Sequence, residues 1–231
     1  MPARALAVGA GLALAAAAAA FGTPGEAPEA PPVWQGIRRA LGSPLVRAIA
    51  ASTAIMVLVR ESLRATSLAL AAASTDGTAT ALQAFWGRYG VIGNAVALVL
   101  AVFVTPRLIR ALGLAPLNLG YALATTASAA LALVAPGAAA AMAQRFTQAE
   151  LKDAIKTPLS ALFYAGEPAE GRAPARAVVF AIAIPCATAA TSGLLAIAGP
   201  HGMPWLAAGA AATFVVASAV QNRVYATATG R

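Results

Sequence analysis

The chain has 231 residues, 60% hydrophobic and only 10% charged, with 16 Lys and Arg against 8 Asp and Glu for a formal net charge of +8. A mean hydropathy of +0.75 excludes an ordinary water-soluble domain, in which about a quarter of residues are charged. The cation surplus does not describe a nucleic-acid surface either, because the arginines are spread between apolar runs instead of clustering among aromatics.

An integral membrane protein is expected, and seven segments reach the roughly 20 apolar residues that a spanning helix needs. The first, Arg4 to Phe21 within residues 1–21, has a basic start, an apolar middle and small residues at its end. It reads as a retained helix or as a cleavable signal. A Pro- and Glu-rich linker, 22–43, leads to a six-helix bundle over 44–231. Its spans run from Pro44 to Ser74, Thr80 to Pro106, Pro116 to Ala135, Ala138 to Tyr164, Ala175 to Gly199 and Pro204 to Tyr225. The breaks "STDG", "RLIRALG", "PG", "AGEPAEGRAP" and "GPHGMP" collect residues that stop helices and make turns. The expected fold class is all-α, a polytopic membrane helix bundle with one preceding helix.

Lys and Arg gather in the cytoplasmic loops of membrane proteins. Arg38, Arg39 and Arg47 flank the first connection, Arg107 and Arg110 lie in the third, Arg172 and Arg176 in the fifth, and Arg223 and Arg231 in the tail. The other three connections have none. That alternation makes every helix from Pro44 onward cross the bilayer and puts the C-terminus in the cytoplasm. It also favours a retained first helix, since cleavage would leave the arginines at 38, 39 and 47 on the wrong side.

The fifth segment carries "RFTQAELKDAIKTPL", residues 145–159, directly after a run from 111 to 144 without charge. At about 100° per residue, Arg145, Lys152 and Lys156 fall in a stripe roughly 40° wide. Asp153 and Glu150 lie further round, so neither neutralises that row completely. Lys152 and Lys156 stand towards the cytoplasmic end and have headgroup snorkelling as an alternative. Arg145 and Glu150 stand roughly 10 and 18 Å in from the opposite end, where ionisable groups need a cavity or a partner. The second segment repeats the theme with Arg60, Glu61 and Arg64, and Arg88 follows Trp86 near the start of the third. Counting these groups, six cations face three carboxylates, 6 − 3 = +3. That surplus suits an anionic solute. Arg64, Arg145, Lys152 and Lys156 are the candidate binding residues. Glu61, Glu150 and Asp153 would orient them or relay protons, with Arg60 and Arg88 secondary. Pro158 and Pro185 interrupt the fifth and sixth helices, as prolines do at sites and hinges and also at plain packing positions.

Little points to an enzyme. The one cysteine, Cys186, lies in an apolar run and cannot form an intrachain disulfide, and the one histidine, His201, sits in a Gly-Pro turn. No Ser-His-Asp set, metal-ligand cluster or phosphate-cradling loop appears, so no metal and no cofactor is expected.

The stretch "ELKDAIKTPLSALFYAGEPAEGRAPARAVV", residues 150–179, resembles the tenth helix and following loop of the nucleotide (ATP/ADP) translocase family and its bacterial relatives. Lys152, Pro158 and Tyr164 match by position, with Arg172 and Arg176 in the loop. "LVRESLRA" is similar to that family's seventh helix, and "FWGRYG" and "VTPRLIRALGL" to its eighth helix and the loop after it. The resemblance covers residues 40 to 226. It implies a major-facilitator-type fold, with the six helices standing for the second half, in a bacterial inner membrane. Two departures count against ATP/ADP exchange: Ser160-Ala161 stand where exchanging members carry Lys-Glu, and Phe180 where they carry Asp.

The expected function is a transporter subunit for an organic or phosphorylated anion, completed by a second copy or by a separately encoded N-terminal half. The alternative is a scaffold or truncated remnant, in which Arg60 or Arg64 would pair with Asp153 or Glu150 across helices.

Overall fold

The structure, a computed structural model, describes residues 33–230. The expected helix within 1–21, the linker up to residue 32 and Arg231 lie outside the described residues. The described residues are all-helical, with no strand among them.

Helix α1 (Val33–Gly42) occupies the end of the expected linker. Its Ile37 and Ala40 pack into the bundle core while Arg38 and Arg39 stay exposed, so an amphipathic turn replaces an open tether. The chain then bends by 86° into α2 (Pro44–Ala73). Ser43 caps α2, its Oγ accepting from the Val46 N–H at 3.4 Å and donating to Glu167 Oε1 at 2.5 Å, with Pro44 pre-set at the first helical position. Helix α3 (Ala79–Leu112) is capped by Thr78, whose own N–H and hydroxyl donate to Asp76. Those two bonds hold the Asp76 carboxyl below its ordinary value. Helix α4 (Leu114–Val134) follows directly on Gly113. Helix α5 covers 138–166, from Ala138–Arg145 to a closing 3-10 turn, Tyr164–Gly166.

The last run, Ala169–Thr229, is interrupted at Gly199, whose φ of 62° and ψ of −178° fit no helix and suit glycine. Val179 and Tyr225 share one core cluster. In a straight helix 46 residues (225 − 179) would separate them by about 70 Å. The run therefore folds back at Gly199 into two limbs, α6 (169–198) and α7 (200–229).

One cluster, around Leu45, Val46, Leu159, Phe163 and Val179, joins the start of α2, the end of α5 and the start of α6. At this end Gly166 passes so close to its neighbours that an added Cβ would come within 2.9 Å of Leu45 and Tyr225. Around it stand Arg38, Arg39, Arg47, Arg107, Arg110, Arg172 and Arg223, next to Ser43, Gly113 and Glu167. The opposite turns, 74–78, 135–137 and 199–201, carry no Lys or Arg. A second cluster, with Val59, Leu63, Tyr121 and Phe214, holds α2, α4 and α7 together farther along the bundle.

Three runs are long and apolar enough to cross a membrane: Ala79–Leu112, Leu114–Val134 and Ala169–Thr229. The bent pair Gln35–Gly42 and Pro44–Ala73 makes a fourth candidate. Helix α5 is not among them, because of its charges.

The expected end of a span at Pro106 is instead the second residue of a helical segment that continues to Leu112. A π turn, Leu100–Val104, immediately precedes it. The same device recurs before Pro158, as Lys152–Lys156, and before Pro185, as Val178–Ala183. A proline lacks its N–H and its ring collides with the carbonyl four residues back, and a turn widened to i→i+5 bonding accommodates both. Pro158 and Pro185 thus sit within continuous helical runs.

Candidate functional site

Helices α2 and α5 face each other with two cavities between them. The proximal cavity, nearer the arginine-rich end, has a volume of about 410 Å³ and is walled on one side by α6. Arg60, Lys152, Lys156 and Arg176 line it together with Tyr164, and no Asp or Glu side chain does. The distal cavity, about 250 Å³, is closed by α3 and lined by Arg64, Trp86, Tyr89, Arg145, Gln148 and Glu150.

Lys156 is the most constrained of these cations. It is 3% exposed, and its Nζ donates to Asn118 Oδ1 at 2.6 Å. The rings of Phe214 and Phe163 stand 5.4 and 5.9 Å from that nitrogen, within cation–π range. No carboxylate pairs with it among the described residues. Asn118 is itself held, its Nδ2 donating to Asn222 Oδ1 at 2.9 Å, and Asn222 in turn donates to the Ala115 carbonyl. The lysine does not snorkel. It is fixed in the bundle by neutral partners.

The other cations have partners of their own. Arg60 donates from Nε and Nη2 to Glu61 Oε1 at 3.0 and 2.6 Å, and Arg64 lies 3.9 Å from the same carboxylate. Lys152 and Asp153 meet at 2.7 Å. Arg145 stands 3.9 Å from Glu150, whose second oxygen accepts from the Tyr89 hydroxyl at 2.7 Å. All four ion pairs among the described residues thus fall within a single helix.

The expected row of Arg145, Lys152 and Lys156 does not form one surface. Arg145 faces the distal cavity and the two lysines the proximal one. The cause is backbone geometry: Phe146–Glu150 and Lys152–Lys156 are both π turns, which rotate downstream residues away from the faces that a 3.6-residue period assigns. Neutralisation of the three is incomplete, as expected: Arg145 pairs with Glu150 and Lys152 with Asp153, and Lys156 has no carboxylate partner among the described residues. Glu61 and Asp153 line neither cavity and act from behind Arg60 and Lys152. Arg88 is exposed and faces a separate apolar depression with Ile92, Val96 and Phe146. The four expected binding residues therefore divide, Arg64 and Arg145 at the distal cavity and Lys152 and Lys156 at the proximal one, while Glu61 and Asp153 pair with Arg60 and Lys152 and Arg88 lines neither cavity.

The structure adds Arg176, whose guanidinium carbon lies 5.5 Å from the Tyr164 ring centre. In sequence it reads as a loop cation, although the translocase-like stretch already contained both residues. Asn118 belongs to a helix without charge and gave no signal at all. Trp86 and Tyr89, which the sequence analysis did not count among the site residues, line the distal cavity.

The charges separate by cavity. Four cations against the adjacent Glu61 and Asp153 give 4 − 2 = +2 at the proximal site, and Arg64 and Arg145 against Glu150 give 2 − 1 = +1 at the distal one. Such walls can hold oxyanions by charge-assisted hydrogen bonds. No family model, curated protein or solved structure matches the chain.

Proposed function

We propose that this chain is a membrane transporter subunit whose proximal cavity binds a phosphorylated or other organic dianion. The observation that carries the reading is Lys156, a buried ammonium without a counter-ion, beside three further cations in a cavity whose lining has no carboxylate. Removing an ammonium from water costs several kcal/mol even after relaxation, and one neutral amide oxygen repays only part of it. An anion in the cavity completes the balance. Membrane segments keep such groups where they face a pathway.

The scaffold reading rests on ion pairs between helices. The pairs present are all local to one helix, so they fix side chains without joining elements. The six helices act as one half of a major-facilitator-type bundle in a bacterial inner membrane, and a second half, another copy or a separate chain, faces the α2–α5 cleft. Ser160, Ala161 and Phe180, the residues of the two departures from the nucleotide-exchanging pattern, all line the proximal cavity. Their neutrality favours a phosphate ester other than ATP or ADP.

Uptake of a labelled sugar phosphate into proteoliposomes tests this function. Lys156→Met, which keeps length and removes charge, lowers uptake at least about tenfold, the equivalent of a single charge-assisted bond. Equal uptake by wild type and by Lys152→Ala combined with Lys156→Met would remove the assigned site.

A further inference from the structure

We infer that the distal cavity is a separate binding station for a small monocarboxylate with an apolar body. The inference depends neither on transport nor on the proximal cavity. Gln148 is 5% exposed and lines the distal cavity, yet its Nε2 has no hydrogen-bond partner. The indole Nε1 of Trp86, on the opposite helix of the same cavity, has none either. A buried donor left unpaired is costly, and the two side chains that carry these donors line one cavity.

The guanidinia beside them are also incompletely used. Arg64 and Arg145 both stand 3.9 Å from their carboxylates, beyond hydrogen-bond reach. Four side chains with N–H groups short of partners therefore line the same cavity, against one carboxylate, Glu150. A guest must bring acceptor oxygens.

Charge narrows the class. Glu150 is buried on the wall, with one oxygen occupied by Tyr89, and leaves the cavity at 2 − 1 = +1. A phosphate dianion would meet that carboxylate at short range, whereas a monocarboxylate neutralises the site. The faces of Trp86 and Tyr89 and the side chain of Leu68 complete the lining and suit an apolar body. The cavities share no lining residue, and the one carboxylate between them, Glu61, lines neither, so each guest has a site of its own.

The test uses the full chain in lipid nanodiscs, with Trp34→Phe and Trp205→Phe leaving Trp86 as the sole indole. Cyclohexanecarboxylate shifts Trp86 emission saturably, and cyclohexyl phosphate does not displace it. Gln148→Leu weakens the carboxylate about tenfold, the equivalent of one charge-assisted bond. Gln148→Glu, nearly isosteric but bearing an acceptor and a negative charge, abolishes binding and covers the case in which the leucine variant does not fold. Lys156→Met leaves the carboxylate affinity unchanged. The inference is overturned by an absence of any saturable shift, by wild-type affinity in Gln148→Glu, or by one-for-one displacement by cyclohexyl phosphate. Failure of the proximal site would show differently, as loss of cyclohexyl phosphate binding with the Trp86 response intact.

Discussion

Lys156 looks in sequence like a lysine near a helix end, free to reach the headgroups, and it is instead the most confined cation of the bundle. What holds it is Asn118, on a helix whose residues from Leu114 to Val134 carry no charge. Asn118→Leu should destabilise the protein by about 2 kcal/mol, the range of a hydrogen bond to a charged group, because it strands the ammonium. Lys156→Met combined with Asn118→Leu should recover most of that loss. Unfolding in mixed micelles with increasing SDS measures both, and strictly additive effects would show that the 2.6 Å contact carries no energy. The cations themselves were readable, since an ionisable residue inside an apolar run is conspicuous. So were the carboxylates beside them, but the neutral partner of Lys156 was not: an asparagine among alanines has no period or spacing that says what it faces.

At the scale of the helix, the unexpected feature is the π turn ahead of each of Pro106, Pro158 and Pro185. Span positions followed from apolar runs and Gly/Pro breaks, and α2, α4 and the fold-back at Gly199 lie close to where those signals put them. Faces did not follow, because assigning them assumes 3.6 residues per turn, and α5 departs from that period twice within eleven residues (146–156). Pro158→Ala removes the reason for the Lys152–Lys156 widening. The turn should relax towards α geometry and swing both lysines relative to Arg60. Anion affinity at the proximal cavity should then fall about tenfold, or 1.4 kcal/mol, while helix content by circular dichroism stays constant. Unaltered affinity would mean that the π turn does not set the lysine positions.

Across the described residues, the most apolar helices turn large side chains outward, with Val91, Ile92 and Leu98 on α3 and Ile197 on α6 well exposed, while α5 buries Gln144, Gln148, Glu150 and Lys156. Three helical runs are long and apolar enough to cross a membrane, and hydrocarbon is a solvent in which such outward side chains are favourable. On the proposed reading, the arginines collected at one end would give the bundle its direction. A reporter fused after residue 231 should be active only in the cytoplasm, and reporters inserted at 76 and 136 only on the other side. A reporter at 136 on the same side as the C-terminus would mean that α5 does not cross with its neighbours.

The sequence by itself determined that the described residues are helical, where α2, α4 and the fold-back at Gly199 fall, which end collects arginine, and that cations outnumber carboxylates within the apolar segments. These are properties of composition and short-range order along one strand of chain. Only the tertiary structure decided that the cations divide between two cavities, that Arg176 joins one of them, and that Gln148 and Trp86 leave donors idle in the other. Those outcomes depend on the rotation of each helix about its axis, which extra residues in a turn alter and which neighbouring helices fix.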